Sequence, residues 1–214
     1  MKTTHSSAQT EAASAALPFA EEDGASFKFA QALIGGRQNV SPKRLIDPGP
    51  TDRQLGEMLA LAAAAPDHGQ LMPWRFVVVP SHKRGSLAEV FALALIDRDP
   101  GATLVQIEAA REKAHRAPLL MLAVARLGSA EPDIPSVERL VSLGAAIQNL
   151  LLAAQALGFG SGLTSGQAMS SPRTRELFAL AHGEVPVCFV NVGTTARHKP
   201  PRVRPAADVF FSTL

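Results

Sequence analysis

An α+β sandwich, a central sheet covered by helices on both faces, is the fold class this sequence predicts. Three observations predict it. Short apolar runs rich in β-branched residues, at 75–79, 119–127 and 185–192, have the length and composition of buried strands. Longer segments with helical spacing alternate with them, at 51–65, 81–96, 103–115 and 137–157. The last of these is apolar on nearly every side, so it needs cover on more than one face. Helices alternating with a few strands in one chain pack as layers over a sheet.

Length and charge narrow the class. A chain of 214 residues makes one large domain or two small ones and buries a substantial core. The formal net charge is +2, and the basic residues are scattered except around 198–204, which is not the broad stripe of a nucleic-acid binder. The single cysteine, Cys188, excludes an intrachain disulfide and sits in an apolar run, as an inert core thiol does. Residues 1–26 are rich in Ala, Ser and Thr and lack the basic start and apolar stretch of a secretory signal. They are expected to form a mobile tail before one domain at 27–214, in a cytoplasmic protein that binds neither nucleic acid nor membrane.

The elements follow in order. Residues 27–34 read as a helix stopped by Gly35 and Gly36. Arg37 to Arg44 is a polar loop, and Asp47-Pro-Gly-Pro50 a turn. Thr51 with Gln54 three residues on has the capping-box form, so a helix runs from Asp52 to about Ala65, where Pro66 ends it. A loop leads through Pro73-Trp74 into the first strand. The helix at 81–96 tolerates Gly85, Asp97 to Gly101 breaks it, and 103–115 is helical again until Pro118 precedes the second strand. Residues 158–166, GFGSGLTSG, read as a Gly/Ser-rich loop after the long helix. Ser171 as N-cap and Pro172 at the first helical position open a helix that ends near Gly183. After the third strand comes a basic, Pro-rich segment, with a short final strand expected at 209–211.

The stretch at 140–159, LVSLGAAIQNLLLAAQALGF, is the centre of the chain and holds no charge. A membrane span needs roughly 20 apolar residues, and this run is that long. Gln148 and Asn149 in its middle would be costly in lipid, so the core-helix reading is preferred. Gly144, Ala145 and Ala146 would let another backbone come close. One domain of this size seldom covers so long a helix on all sides, and a second subunit is expected over part of it.

Motifs exclude several chemistries. No histidine stands at HExxH spacing and the one cysteine has no partner, so no metal site is expected. Ser165 is not in a G-x-S-x-G elbow. The glycines at 158, 160 and 162 follow a helix, whereas the dinucleotide fingerprint needs a strand before it. What remains is a set of separate donor-bearing loops: Arg37-Gln38-Asn39, His68-Gly69-Gln70, Thr164-Ser165-Gly166, and Arg202 with Arg204. A mononucleotide needs this mixture, because paired arginines clamp a phosphate and amides read a ring edge. Solvated surface charge is the alternative reading of each arginine taken singly.

Five motifs in this order, Arg37-x-Asn39, Ala65-Pro66 to Pro73-Trp74, the helix GAAIQNLLLAA, Gly158-Phe-Gly160 and Val192-Gly193-Thr194, make the sequence resemble the flavin-dependent nitroreductases. The form Ala65-Pro66-Asp67-His68 is most similar to their compact bacterial single-domain branch. The resemblance implies a homodimer with FMN between subunits, a sheet flanked by helices, and a C-terminal segment swapped onto the partner. It implies an FMN-dependent NAD(P)H oxidoreductase, passing a hydride from NADH or NADPH through flavin N5 to a nitroaromatic, quinone or similar small-molecule acceptor in ping-pong fashion. The scaffold also admits a dehydrogenase, a dehalogenase, or a flavin-binding or regulatory module with little turnover.

The implied cofactor residues are Arg37 with Gln38 and Asn39, His68 and Gln70 near the ring, Leu163, Thr164, Ser165 and Gly166 along its N5 and O4 edge, and Arg202 and Arg204 back at the phosphate. No catalytic side chain is implied. Lys43 or Arg44 is the candidate cation for the N1 and O2 edge. Met72 departs from the family pattern because its side chain donates no hydrogen bond, and Ser41-Pro42-Lys43 lengthens the first loop.

Overall fold

The computed structural model describes residues 24–128, 133–197, 200 and 203–214, so residues 1–23 of the tail expected at 1–26, and Arg202, lie outside the described residues. In chain order the elements are α1 (Ala25–Gly36), β1 (Leu45–Ile46), α2 (Asp52–Ala62), β2 (Trp74–Val78), α3 (Arg84–Arg98), α4 (Leu104–Arg111), β3 (Leu119–Arg126), α5 (Ser136–Ala156), β4 (Gly160–Thr164), α6 (Pro172–Leu177) and β5 (Glu184–Thr195), with short 3-10 turns between them. The strands run in the order β1-β5-β3-β2, β4 pairs with β5, and every pairing is antiparallel.

β3 is the middle of the sandwich. Successive side chains of a strand point to opposite faces. Leu119, Met121, Ala123 and Ala125 accordingly join Met58 of α2 and Leu143, Ile147 and Leu150 of α5 on one side. Leu120, Leu122 and Val124 join Leu87 of α3, Phe178 and Phe189 on the other. A strand buried on both faces reads as a continuous apolar run, which is why LLMLAVA shows no alternation. Truncating Leu122 or Leu150, both fully buried, to alanine would cost about 2–5 kcal/mol.

Helix starts follow local chemistry. Thr51 and Gln54 form the capping box read from the sequence, and Thr103 with Gln106 forms a second one. Ser171 caps α6 and Pro172 occupies its first turn, but the helix stops at Leu177, before a turn in which Ala179 has φ 45°.

Four expectations need correction. α1 continues through Gly35 and Gly36; neither takes a left-handed turn, and Arg37 caps the helix through Ile34 O. The presumed loop at 158–166 contains a strand, β4. Its glycines are there because other atoms press on it: a Cβ on Gly160 would strike Thr195 Oγ1, and one on Gly162 would strike the Val40 carbonyl. Glycine in a strand often marks such a close approach. β1, two residues long, occupies the gap between the segments read as polar loop and turn, where no strand was expected, and pairs with Thr194 and Thr195 of an extended β5. Residues 207–209 form a 3-10 turn rather than part of a final strand.

α5 divides its small residues. Ala146 is fully buried in the core, whereas a Cβ on Gly144 would meet nothing within 4 Å. Val137, Leu140 and Val141 are 63%, 40% and 66% exposed. With Gly144 they form one outward stripe at helical spacing. α1 buries none of its residues, although Phe27, Phe29 and Ile34 lie on it. α5 is long and apolar enough to cross a membrane, yet half of its most apolar window is inside the chain.

One corner of the sandwich is held by charge. Arg75 of β2 donates to both oxygens of Glu184 at 2.7 Å, and Arg126 approaches Glu184 at 3.5 Å. Arg175 of α6 donates to the Glu184 carbonyl at 2.8 Å. The Arg75 hydrogen bond above all holds the Glu184 carboxyl down at about 2. Arg84, also buried, donates to Val79, Ala114 and Pro118 carbonyls.

Candidate functional site

The loop after α1 and strand β4 are tied together. Val40 N donates to Ser161 O at 2.8 Å, and Asn39 Oδ1 accepts from Leu163 N at 3.3 Å. Asn191, buried in the apolar run of β5, donates to Thr164 Oγ1 at 3.0 Å and to the Gly162 carbonyl at 3.3 Å. Asn39 and Asn191 therefore fix the backbone of β4 from its two sides. A buried amide is costly unless bonded, and here its partners are the strand it positions.

Arg37 stands at the C-terminal end of α1, and its carbonyl accepts from Arg204 Nη2 at 2.6 Å across 167 residues. Burial first, and the Arg204 charge second, hold the Arg37 guanidinium below its ordinary value. Arg204 meets the Arg37 backbone, and its charge disfavours a second cation nearby unless an anion joins them. Among the described residues no carboxylate forms an ion pair with either. Arginine donors of this kind suit an anion such as a phosphate.

Two cavities adjoin β4. The smaller, about 310 Å³, is lined by Gln38, Arg44, Ser161, Thr195 and Arg197, and Arg44 Nη1 donates to the Arg197 carbonyl at 3.0 Å. The larger, about 620 Å³, has Thr164, Ser165 and Gly166 along one wall. Its apolar side includes Phe91 and Phe189, which meet edge to face with centroids 5.6 Å apart. Its volume lies in the ordinary range of small-molecule sites.

His68 and Gln70 are elsewhere. Their loop holds three left-handed residues, Gly69 (φ 72°), Gln70 (φ 52°) and Met72 (φ 45°). Such conformations in non-glycine residues cost on the order of 1–3 kcal/mol each and persist only when the surroundings enforce them. Asp67 Oδ2 accepts from Met72 N at 2.6 Å, so the Met72 backbone donates where its side chain cannot. Asp67 Oδ1 is buried without a hydrogen-bond partner among the described residues. His68 Nδ1 lies 2.7 Å from Glu138 Oε2 at the start of α5. Neither His68 nor Gln70 lines either cavity. Hydrogen bonds join the segment Arg37-Gln38-Asn39 to Leu163 and to Arg204, with Thr164, Ser165 and Gly166 next in the chain, and among the described residues none joins His68 or Gln70 to that set.

Residues 41–194 match the family model described as the Nitroreductase family. The chain belongs to the nitroreductase family. A Haemophilus influenzae relative, provisionally named an NAD(P)H nitroreductase, is 32% identical over 154 residues, 72% of this chain and 83% of its own. YdjA of Escherichia coli K12, provisionally given the same activity, is 34% identical over 162 residues, 76% and 86% of the two chains. Among solved structures, a nitroreductase-like family protein from Bacillus cereus superposes with a TM-score of 0.74 at 18% identity, covering 86% of this chain and 94% of its own. The FMN-dependent nitroreductase NfnB from Mycobacterium smegmatis, solved with NADPH, gives 0.62 at 16% identity over 79% and 88%. The nitroreductase fold is thus established for this chain, and family membership supports an oxidoreductase.

Within this nitroreductase fold the sequence overlooked Arg98, Lys113 and Arg116, which line the larger cavity. Lys113 and Arg116 stand three apart before β3, a same-face spacing visible in the sequence. Arg98 carries no such signal. Asn191 did: one amide inside VCFVNV calls for a partner.

Proposed function

We propose that this chain is an FMN-dependent NAD(P)H oxidoreductase that works as a cytoplasmic homodimer and reduces a nitroaromatic, quinone or similar small molecule. The observation that carries the proposal is the hydrogen bond from the Arg204 guanidinium to the Arg37 carbonyl, which brings a second cation to the end of α1, near enough for its charge to act on the Arg37 side chain. A phosphate monoester offsets both charges and accepts from both. Bound FMN would accept a hydride from NADH or NADPH and pass it on; the protein supplies position and electrostatics.

In this reading Arg37 and Arg204 hold the phosphate, with Gln38 and Asn39 beside them. Thr164, Ser165 and Gly166 present backbone to the ring, and Asn39 with Asn191 keeps that backbone in register. Arg202 lies outside the described residues and is retained from the sequence alone. His68 and Gln70 would serve the partner's ring, across the subunit boundary, in keeping with their absence from the lining of both cavities beside β4.

The outward stripe of α5 supports the dimer, as do the uncovered apolar residues of α1. The exposed Val209, Phe210 and Phe211 support a C-terminal segment that wraps the partner. Val141→Glu should turn a dimer into a monomer by gel filtration and lower the flavin content; a dimer fully loaded with flavin would remove α5 from the interface.

The direct test of function is the absorbance of the purified protein under anaerobic conditions. A yellow protein bleached within seconds by NADH or NADPH is expected. A colourless protein that takes up no added FMN would overturn the proposal.

A further inference from the structure

We infer that the larger cavity selects flat aromatic ligands bearing an anionic group, so that the acceptor is a carboxylated or otherwise acidic nitroaromatic or quinone. The inference rests on the proposed flavin reading: Thr164, Ser165 and Gly166, set there against the ring, also form one wall of the cavity, so a ligand within it lies beside the reacting edge.

The chemistry of the lining carries the inference. Phe91, Leu95 and Phe189 give it an apolar, partly aromatic side, suited to a ring. Among the described residues Arg98, Lys113 and Arg116 supply its only formal charges, and no Asp or Glu lines it. The nearby carboxylates are engaged elsewhere. Asp97 accepts from Arg173 at 2.6 and 3.1 Å. Glu89 and Glu108 both accept from Arg111. Glu112 reaches Arg116 only at 3.8 Å. Arg98 and Lys113 form no ion pair among the described residues. Cations lining an apolar cavity, of which only Arg116 has a carboxylate within reach, raise the local concentration of anions and repel cations. Their guanidinium and ammonium donors match a carboxylate.

The test uses the flavin-loaded protein and three probes of similar size and different charge: benzoate, its isostere benzamide, and benzylammonium. Calorimetry and the perturbation of the flavin spectrum report binding, and steady-state rates with 4-nitrobenzoate and 4-nitrobenzyl alcohol report turnover. Benzoate is expected to bind about tenfold or more tighter than benzamide, and benzylammonium weakest. Lys113→Gln and Arg98→Gln should each erase most of the gap, and should raise KM for 4-nitrobenzoate more than for the alcohol. Equal binding of benzoate and benzamide, or a gap untouched in both variants, would overturn the inference. So would benzoate that binds only the flavin-free protein and is displaced by FMN, because the cations would then serve the cofactor. Preferential benzoate binding without reduction of either nitro compound would support the anion site and count against the oxidoreductase reading.

Discussion

Arg75 and Arg37 are both half-buried arginines near the ends of elements, and they do opposite work. Arg75 spends its donors on Glu184, which Arg126 also approaches, while Arg175 holds the carbonyl of the same residue. That corner contains its own carboxylate and ties β2, β5 and α6 into one body. Arg37 receives another cation, Arg204, at its carbonyl, and among the described residues no acid pairs with either. A completed pair inside the chain stabilises the fold; an incomplete one is a demand on something outside it. Removing either arginine should therefore fail in different assays.

The largest effect expected is on cofactor affinity. Hydrogen bonds to charged groups contribute about 1.5–3 kcal/mol each, so Arg37→Ala with Arg204→Ala should weaken FMN binding about 100-fold or more. The melting temperature of the flavin-free protein should hardly move. Flavin quenching titrations and calorimetry would check the two halves, and a large loss of apo-protein stability would erase the contrast.

The sequence could not draw this distinction, because paired and unpaired arginines are the same letter and Glu184 lies 109 residues from Arg75. The sandwich itself was legible: the three apolar runs became β2, β3 and most of β5, and Thr51-x-x-Gln54 became a capping box. β4 was not legible. GSGLT has the composition of a loop, and what makes it a strand is β5 along one side and the loop backbone at Val40 along the other, both distant in sequence. The loop residues Arg37 to Asn39 were legible as donors, but the separation of His68 and Gln70 from them depends on contacts no local pattern records.

Glu184→Ala is the mirror experiment. It strands Arg75 and should cost about 2 kcal/mol, a buried pair of this kind losing more when fully enclosed, while FMN affinity stays near that of the parent. Chemical denaturation with parallel flavin titration separates the outcomes; a lost flavin with unchanged stability would reverse the assignment. Gly162→Ala sharpens the contrast differently. It drives a methyl into the Val40 carbonyl and should cost about 1–3 kcal/mol. Because β4 leads into Thr164, stability and flavin content should fall together in this variant alone.

The smallest effect is the pH dependence. The Glu184 carboxyl sits below its ordinary 4.5, at about 2, when folded. The unfolded chain therefore takes up this proton first, so the stabilisation is fully present above about 4.5 and is lost as pH falls toward about 2. Acid unfolding of the parent should be steeper across that interval than that of Glu184→Gln; identical profiles would show that the corner contributes nothing through charge.

The most direct measurement compares FMN with riboflavin, which has the same ring and no phosphate, in binding to the flavin-free protein. If the unpaired arginines at the end of α1 hold a phosphate, FMN binds about 100-fold tighter or more, and Arg37→Ala brings the two ligands close together. Equal affinities in the parent, or a preference for FMN that survives Arg37→Ala and Arg204→Ala, would contradict the account.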